Sequence, residues 1–305
     1  MRKIFITCLL TIVFMEFIQA QETISLYEGN VPGSRPYSTK EKWEPQDNGD
    51  TIVHFISQPT LTIFLPGNNA NGTAVVICPG GGYWISSIIK EGYAVARKFN
   101  EWGVAAFVVK YRIPNDSAMT DKKIAPLQDA QRAIQIVRAR AKEWNVDINK
   151  VGIMGFSAGG HLASTAATHF EHSYIENKDQ INLRPDFAIL IYPVISFQDS
   201  IGHIGSRDQL IGKRPEKKLL DSFSNELQVT AKTPPSFLVH ASDDDAVPVM
   251  NSVTFYEALV KYKIPAEMHL YKSGGHGFGM HNPTTNDDWT ERCKNWMQSM
   301  GWLGK

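Results

Sequence analysis

Cysteine is scarce in this chain: three occur in 305 residues, and one of them, Cys8, sits in an apolar leader. Cys78 and Cys293 could pair in an oxidising compartment, but two residues make no disulfide framework. Excess charge is also missing, since Lys plus Arg and Asp plus Glu both number 31. A net charge of zero sets up no field to recruit nucleic acid or an anionic membrane. There is no His-Glu-x-x-His run and no zinc-type Cys/His spacing. No catalytic metal is therefore expected, although His169, His172 and the Asp243–Asp245 run carry ligand-type groups. Repeats of fixed period and low-complexity tracts are absent too. What is present is an ordinary globular balance, 43% hydrophobic and 20% charged. A chain of this length can bury a sizeable core without staples.

The first twenty residues form a separate unit. Arg2 and Lys3 precede Ile4–Ile18, an apolar run broken only by Thr7, Thr11 and Glu16. Gln19-Ala20 and then the polar Gln21-Glu22-Thr23 follow. This layout predicts a secretory signal peptide over residues 1–20, cleaved after Ala20. Glu16 and the short run argue against a membrane anchor. The mature chain, residues 21–305, is expected as one domain exported to the periplasm or beyond, with no membrane span. Its first part, residues 21–50, is punctuated by Pro32, Pro36 and Pro45 and is expected to be irregular.

Beyond it, Thr51–Ile56 and Thr60–Leu65 read as β-rich runs, with turn-prone residues 66–72 after them. From Thr73 short apolar runs alternate with helical ones. Ala74–Cys78, Val104–Val109, Val151–Met154, Phe187–Ile191, Phe237–Val239 and Glu267–Tyr271 read as strands. Glu91–Trp102 and Ile124–Trp144 read as helices. The second of these carries an apolar stripe through Ile124, Leu127, Ala130, Ile134, Val137 and Ala141. Continuous apolar strands between helices predict an α/β fold, a mostly parallel central sheet covered by helices on both faces. In such sheets the site lies at the carboxyl ends of the strands.

Gly155-Phe156-Ser157-Ala158-Gly159 has the G-x-S-x-G form, directly after a strand and opening a helix. A nucleophile elbow needs that placement, so Ser157 is the candidate nucleophile. A serine hydroxyl requires a base held in orientation. Among nine histidines, His276 is preferred because it stands in Gly274-Gly275-His276-Gly277 after a late strand. His161 follows Ser157 by four residues along the same helix, away from the hydroxyl, and reads as a supporting polar residue. His169 and His172 read as surface residues, and His281 as a rival close to the loop. For the carboxylate, the pattern H-G-x-x-D-x-x-V-P laid on His240 and Val247-Pro248 selects Asp244, with Asp243 second and Asp245 third. The order Ser157, Asp244, His276 is that of α/β-hydrolases.

Acyl transfer also needs donors for an oxyanion. Ala158 N–H is one candidate, as the residue after the nucleophile. The amides of Gly81 and Gly82, in Cys78-Pro79-Gly80-Gly81-Gly82-Tyr83, are the others. No Lys-Ser/Thr follows those glycines, so a Walker A phosphate loop is excluded.

These residues, with Lys110-Tyr111-Arg112, Pro126–Ala130 and Gly275–Phe278, make the chain resemble secreted bacterial esterases of the α/β-hydrolase superfamily, the acetyl xylan esterase and feruloyl esterase-like enzymes. The resemblance runs from about residue 60 onward. It departs at Cys78-Pro79, where many relatives carry His-Gly, so which glycine amide points inward stays open. The resemblance implies an eight-stranded, mostly parallel sheet, no cofactor, and hydrolysis of ester substituents on plant polysaccharide. Deacetylation is the first expectation, and feruloyl ester or general carboxylester cleavage the second. Prolyl-peptidase-like activity and a non-catalytic binding protein on the same scaffold rank below these. The expected partner is an acylated oligo- or polysaccharide. Tyr83, Trp84 and Tyr111 are expected to help line its cleft, because sugar rings stack on aromatic faces. Residues 203–227 are expected to be an irregular segment covering the site as a lid.

Overall fold

The computed structural model describes residues 21–304, so the expected signal peptide and Cys8 lie outside the described residues. The strands are β1 (Glu22–Ser25), β2 (Lys42–Pro45), β3 (Thr51–His54), β4 (Thr60–Phe64), β5 (Ala74–Cys78), β6 (Ile85–Ser87), β7 (Ala105–Lys110), β8 (Val151–Phe156), β9 (Ala188–Ile191), β10 (Ser236–Ala241) and β11 (Ala266–Tyr271). The helices are α1 (Ala94–Glu101), α2 (Ala125–Ala139), α3 (Ser157–Thr168), α4 (Ile204–Ile211), α5 (Lys217–Ser222), α6 (Met250–Lys261) and α7 (Trp289–Ser299).

Eight strands form the main sheet in the order β1-β4-β7-β5-β8-β9-β10-β11. The pairs β1/β4 and β4/β7 are antiparallel, and from β7 to β11 every pair is parallel. Every residue of β5, β7, β8, β9 and β10 is buried. A strand wet on one face would alternate, so full burial requires cover on both faces, here by the intervening helices. This is the α/β arrangement expected from the apolar runs.

The amino-terminal part departs from expectation. Residues 21–50 hold two short strands: β1 lies on the edge of the main sheet and β2 begins a second one. That second sheet has the order β2-β3-β6, all antiparallel. The run Thr51–Ile56 is thus a strand, but outside the main sheet. Short strands of mixed polarity carry no clear period, which hid them. Likewise, residues 203–227 include α4 and α5 and are not irregular.

One buried ion pair ties these parts together. Arg112, after β7, and Asp129, on α2, are both fully buried. The guanidinium donates through Nη2 to Asp129 Oδ1 at 2.8 Å and through Nε to Oδ2 at 3.0 Å. Arg112 N–H adds a bond to Oδ2, and Tyr27 Oη–H one to Oδ1. The remaining guanidinium nitrogen donates to the Pro32 carbonyl at 2.7 Å, holding the lead against the domain. A charge out of water needs this degree of pairing. Cys78 and Cys293 are both buried and both free. No helix among the described residues is long and apolar enough to cross a membrane.

Candidate active site

The strand β8 ends at Phe156 in extended conformation, and Ser157 begins α3 with φ of 51°. A non-glycine residue held in this left-handed region is strained, and here the turn between buried strand and buried helix enforces it. The turn closes because its flanking glycines pack backbone on backbone. A Cβ on Gly155 would lie 2.0 Å from the Gly159 carbonyl oxygen, and one on Gly159 would lie 2.1 Å from that of Cys78.

Ser157, His276 and Asp244 meet at the carboxyl ends of β8, β10 and β11. Ser157 Oγ and His276 Nε2 are 2.8 Å apart, and His276 Nδ1 and Asp244 Oδ2 are 2.7 Å apart. With Nδ1–H donating to the carboxylate, Nε2 is free to accept the serine proton. The carboxylate itself is saturated. Its Oδ1 accepts from Ala246 and Val247 N–H, and its Oδ2 also accepts from His240 Nε2 at 3.1 Å. His240 Nε2 faces the Val247 carbonyl at 3.0 Å as well, so that nitrogen carries the proton. Burial acts to raise the Asp244 pKa, but the His240 and His276 bonds, the His276 charge and the Val247 N–H outweigh it. The carboxyl lies well below its ordinary range.

Of the three aspartates, the backbone thus aims Asp244 at His276. Asp243 instead accepts Gly275 N–H at 2.8 Å, bracing the histidine loop. Asp245 is exposed, as is His281.

The glycine loop lies beside the nucleophile: a Cβ on Gly80 would stand 3.0 Å from Ser157 Cβ. Among the described residues the N–H groups of Gly81 and Gly82 have no acceptor within the chain. Ala158 N–H, in the first turn of α3, has no intrahelical acceptor. Gly81 adopts φ of 130°, and its carbonyl accepts from Trp84 and Ile85 N–H, which closes the loop.

Two of the three aromatic residues expected in the cleft are elsewhere. Tyr83 is 1% exposed, and its hydroxyl donates to His161 Nδ1 at 2.9 Å. Tyr111 is fully buried, and its hydroxyl donates to the Pro79 carbonyl at 2.7 Å. Their rings fill the core while each hydroxyl finds an internal partner, so they hold the glycine loop rather than face a ligand. Trp84 is 59% exposed and keeps its place at the surface.

His161 cannot serve as a base. Its Nε2 faces the Phe223 carbonyl at 2.8 Å, so Nε2 is the protonated nitrogen and Nδ1 accepts from Tyr83. Burial pulls its pKa down from 6.5 to about 3, against a smaller opposing effect of the Phe223 carbonyl. The unfolded chain therefore binds one more proton than the native one between those values. His161 lowers stability as the pH falls from 6.5 to about 3, by about 1.4 kcal/mol per pH unit. Asp244, whose pKa is depressed, stabilises fully above about pH 4 and loses that contribution below it. Thermal melts between pH 8 and 3 should show a decline beginning near pH 6.5. A His161→Gln chain, less stable at neutral pH, should decline more gently. An identical slope would remove His161 from this account.

One residue of the site was not singled out from the sequence. Ile89–Tyr93 forms a π-helical turn leading into α1, a conformation common at functional sites. It presents Glu91 to both sides of the site. Glu91 Oε2 accepts Gly80 N–H at 2.8 Å, and Oε1 accepts the Tyr192 hydroxyl at 2.7 Å. The Tyr192 oxygen accepts Gly279 N–H at 2.9 Å, and its ring packs edge-on against His276 at 5.0 Å. Burial pushes the Glu91 carboxyl up, with the Tyr192 and Gly80 bonds pulling it back. Neighbouring Lys90 donates to the Gly277 carbonyl at 2.6 Å. One turn thus couples the glycine loop to the histidine loop. The sequence offered no signal for it, since Glu91 follows Lys90 at the start of an ordinary amphipathic helical run. Glu91→Gln replaces one acceptor by a donor. It should lower kcat about 10- to 100-fold, from one buried polar group left unpaired, with a smaller effect on KM. Equal kcat in a stably folded variant would refute this positioning role.

No group of three or more His, Cys, Asp or Glu among the described residues is arranged to hold a metal ion. The arrangement of nucleophile, base, carboxylate and open amides is that of a serine acyl-transfer site.

Comparison with known proteins agrees with this geometry. The BD-FAE family profile matches residues 61–259. An acetylxylan esterase of Xylanibacter ruminicola is 38% identical over 245 residues, 79% of this chain and 48% of that protein. The endo-1,4-beta-xylanase B of Butyrivibrio fibrisolvens is 35% identical over 251 residues, 81% of this chain and 39% of that protein. This chain therefore spans about half the length, or less, of these curated relatives. Among solved structures, an acetyl ester-xyloside bifunctional hydrolase from Caldicellulosiruptor lactoaceticus superposes with a TM-score of 0.80 at 36% identity, covering 93% of this chain and 97% of that one. By fold and by sequence, this chain belongs to the BD-FAE family of α/β-hydrolases.

Proposed function

We propose that the chain is a serine esterase that removes acetyl groups from a plant cell-wall polysaccharide such as xylan. The observation that carries this reading is the continuous relay from Asp244 through His276 to Ser157, set beside a loop whose amides are open. Similarity to an acetylxylan esterase supports the choice of acyl group and polymer.

In this reading Ser157 Oγ attacks the acetyl carbonyl carbon while its proton passes to His276 Nε2. Asp244 stabilises the imidazolium by the bond at Nδ1. The amides of Ala158 and of Gly81 or Gly82 receive the oxyanion. Collapse breaks the bond to the sugar oxygen, which takes the proton from His276. Water gives a proton to the same His276 and attacks the acetyl-enzyme; the bond to Ser157 Oγ breaks, Oγ takes that proton back from His276, and acetate leaves. These steps call on no cofactor.

The test is incubation of the chain with acetylated xylan and with feruloylated arabinoxylan, measuring acetate and ferulate. Serine-dependent acetate release supports the proposal. Ferulate without acetate would replace it by the feruloyl reading. Export is part of the same proposal, supported by the apolar Ile4–Ile18 run after Arg2 and Lys3. Amino-terminal sequencing of the mature protein should then begin at Gln21.

A further inference from the structure

The small antiparallel sheet β2-β3-β6 takes no part in the relay, yet two exposed aromatic residues stand at its end, beside the glycine loop. His54 pairs with Ile85 across β3 and β6, so the next positions along the antiparallel register are Phe55 and Trp84. Both are large apolar residues left in water, 45% and 59% exposed. Phe55 is moreover held at φ of 57°, a conformation unfavourable for an aromatic residue. They border a cavity of about 150 Å³ whose wall continues through Tyr37, Ile113, Asn115 and Gln209.

We infer that this cavity is a carbohydrate subsite, binding a neutral pyranose ring of the polysaccharide next to the acylated one. The inference rests on the esterase reading above for the identity of the polymer. Three features carry it. First, these residues form an aromatic wall with polar groups and no ionised side chain, a chemistry suited to the C–H faces and hydroxyls of a neutral sugar. Second, hydrogen-bonding capacity remains at the rim. Asn115 Nδ2 donates to Tyr37 Oη at 3.2 Å, leaving the tyrosine proton to donate elsewhere. Gln209 Nε2 donates to the Pro114 carbonyl at 2.9 Å, leaving Oε1 to accept. Third, the subsite adjoins the chemistry. Trp84 lies two residues after Gly82, at most about 7 Å along the chain. Its Cδ1 would be 3.1 Å from a Cβ on Gly82, so the indole lies against the open glycine loop. Gln209 lies on α4, within the segment 203–227 expected to cover the site.

The test uses the full chain in two ways. Titration calorimetry of the Ser157→Ala protein with unacetylated xylotetraose should show binding. Adding Phe55→Ala or Trp84→Ala should weaken it about tenfold, as expected for loss of one stacked aromatic face. In the active enzyme, the same changes should raise KM for acetylated xylotetraose about tenfold. The effect of Phe55→Ala on 4-nitrophenyl acetate, which has no sugar, should be under about threefold. Phe55→Gly, which relieves the backbone conformation, guards against misfolding and should behave like Phe55→Ala. Absence of xylotetraose binding, or binding indifferent to both aromatics, would overturn the subsite. So would a loss confined to feruloyl esters, which would make the cavity an aromatic acyl pocket. If no acetate is released from any acetylated xylo-oligosaccharide, the esterase reading fails while calorimetry still decides the subsite.

Discussion

Replacing Ser157 by alanine should lower the rate of the proposed acetate release by about four to six orders of magnitude and leave the fold intact. The size follows from how the relay works. His276 and Asp244 begin the reaction by taking and holding the serine proton, with contacts of 2.8 and 2.7 Å, and every later step runs through the acyl group on Oγ. Without Oγ the base has nothing to activate, so one deletion silences the set. Some acceleration over water should survive, because the amides of Gly81, Gly82 and Ala158 remain. Alanine at this position keeps the helix start and removes only a small hydroxyl, so melting temperature should change little. A steady-state assay on acetylated xylan, paired with a thermal melt, checks both halves. Activity within tenfold of the parent would displace Ser157 as nucleophile.

Asp129→Ala should destabilise the chain by about 3–5 kcal/mol, the effect of stripping one partner from a buried ion pair. For a chain of this size that corresponds to a fall in melting temperature on the order of 5–10 °C. The reason is the number of groups converging on this carboxylate. It receives the Arg112 guanidinium, the Arg112 amide and the Tyr27 hydroxyl. Removal leaves a positive charge with no exposed surface at all. The double variant Arg112→Met/Asp129→Leu should recover part of the loss, because an apolar pair requires no compensation. Denaturant unfolding of the three chains measures it. A loss under about 1 kcal/mol for Asp129→Ala would mean that Arg112 finds other partners, the Pro32 and Ala125 carbonyls being nearest.

That pair also clarifies what the conspicuous sequence motifs do. Lys110-Tyr111-Arg112 and Pro126–Ala130 carry much of the resemblance to the esterases, yet neither supplies a member of the Ser157–His276–Asp244 relay. Arg112 and Asp129 anchor the amino-terminal lead, and Tyr111 fastens the Pro79 carbonyl behind the glycine loop. Of the site itself, Ser157 was legible because its signal is local: two glycines, a preceding strand and a following helix within a dozen residues. His276 was legible for a similar reason, a histidine among glycines after the last strand.

Among three adjacent aspartates, the spacing from His240 to Val247-Pro248 had already selected Asp244, and the structure supplies the reason. Asp244 is aimed at His276 because the Ala246 and Val247 amides and His240 grip its carboxylate. Other assignments needed the third dimension. Tyr83 and Trp84 are neighbours in sequence with similar side chains. One is buried on His161 and the other stands in water. Glu91 gave no signal, since its partners Gly80 and Tyr192 are 11 and 101 residues away.

The sequence by itself determined the buried parallel sheet, the strand-to-helix turn at Ser157 and the order of the relay. These are written in short-range patterns of apolar runs, glycines and turns, which steric limits on the backbone translate directly into shape. Tertiary structure alone decided which aromatics face solvent, and that a single π-helical turn joins the glycine loop to the histidine loop. Those outcomes depend on contacts between residues far apart in the chain, where packing and the satisfaction of buried polar groups choose among locally equivalent residues.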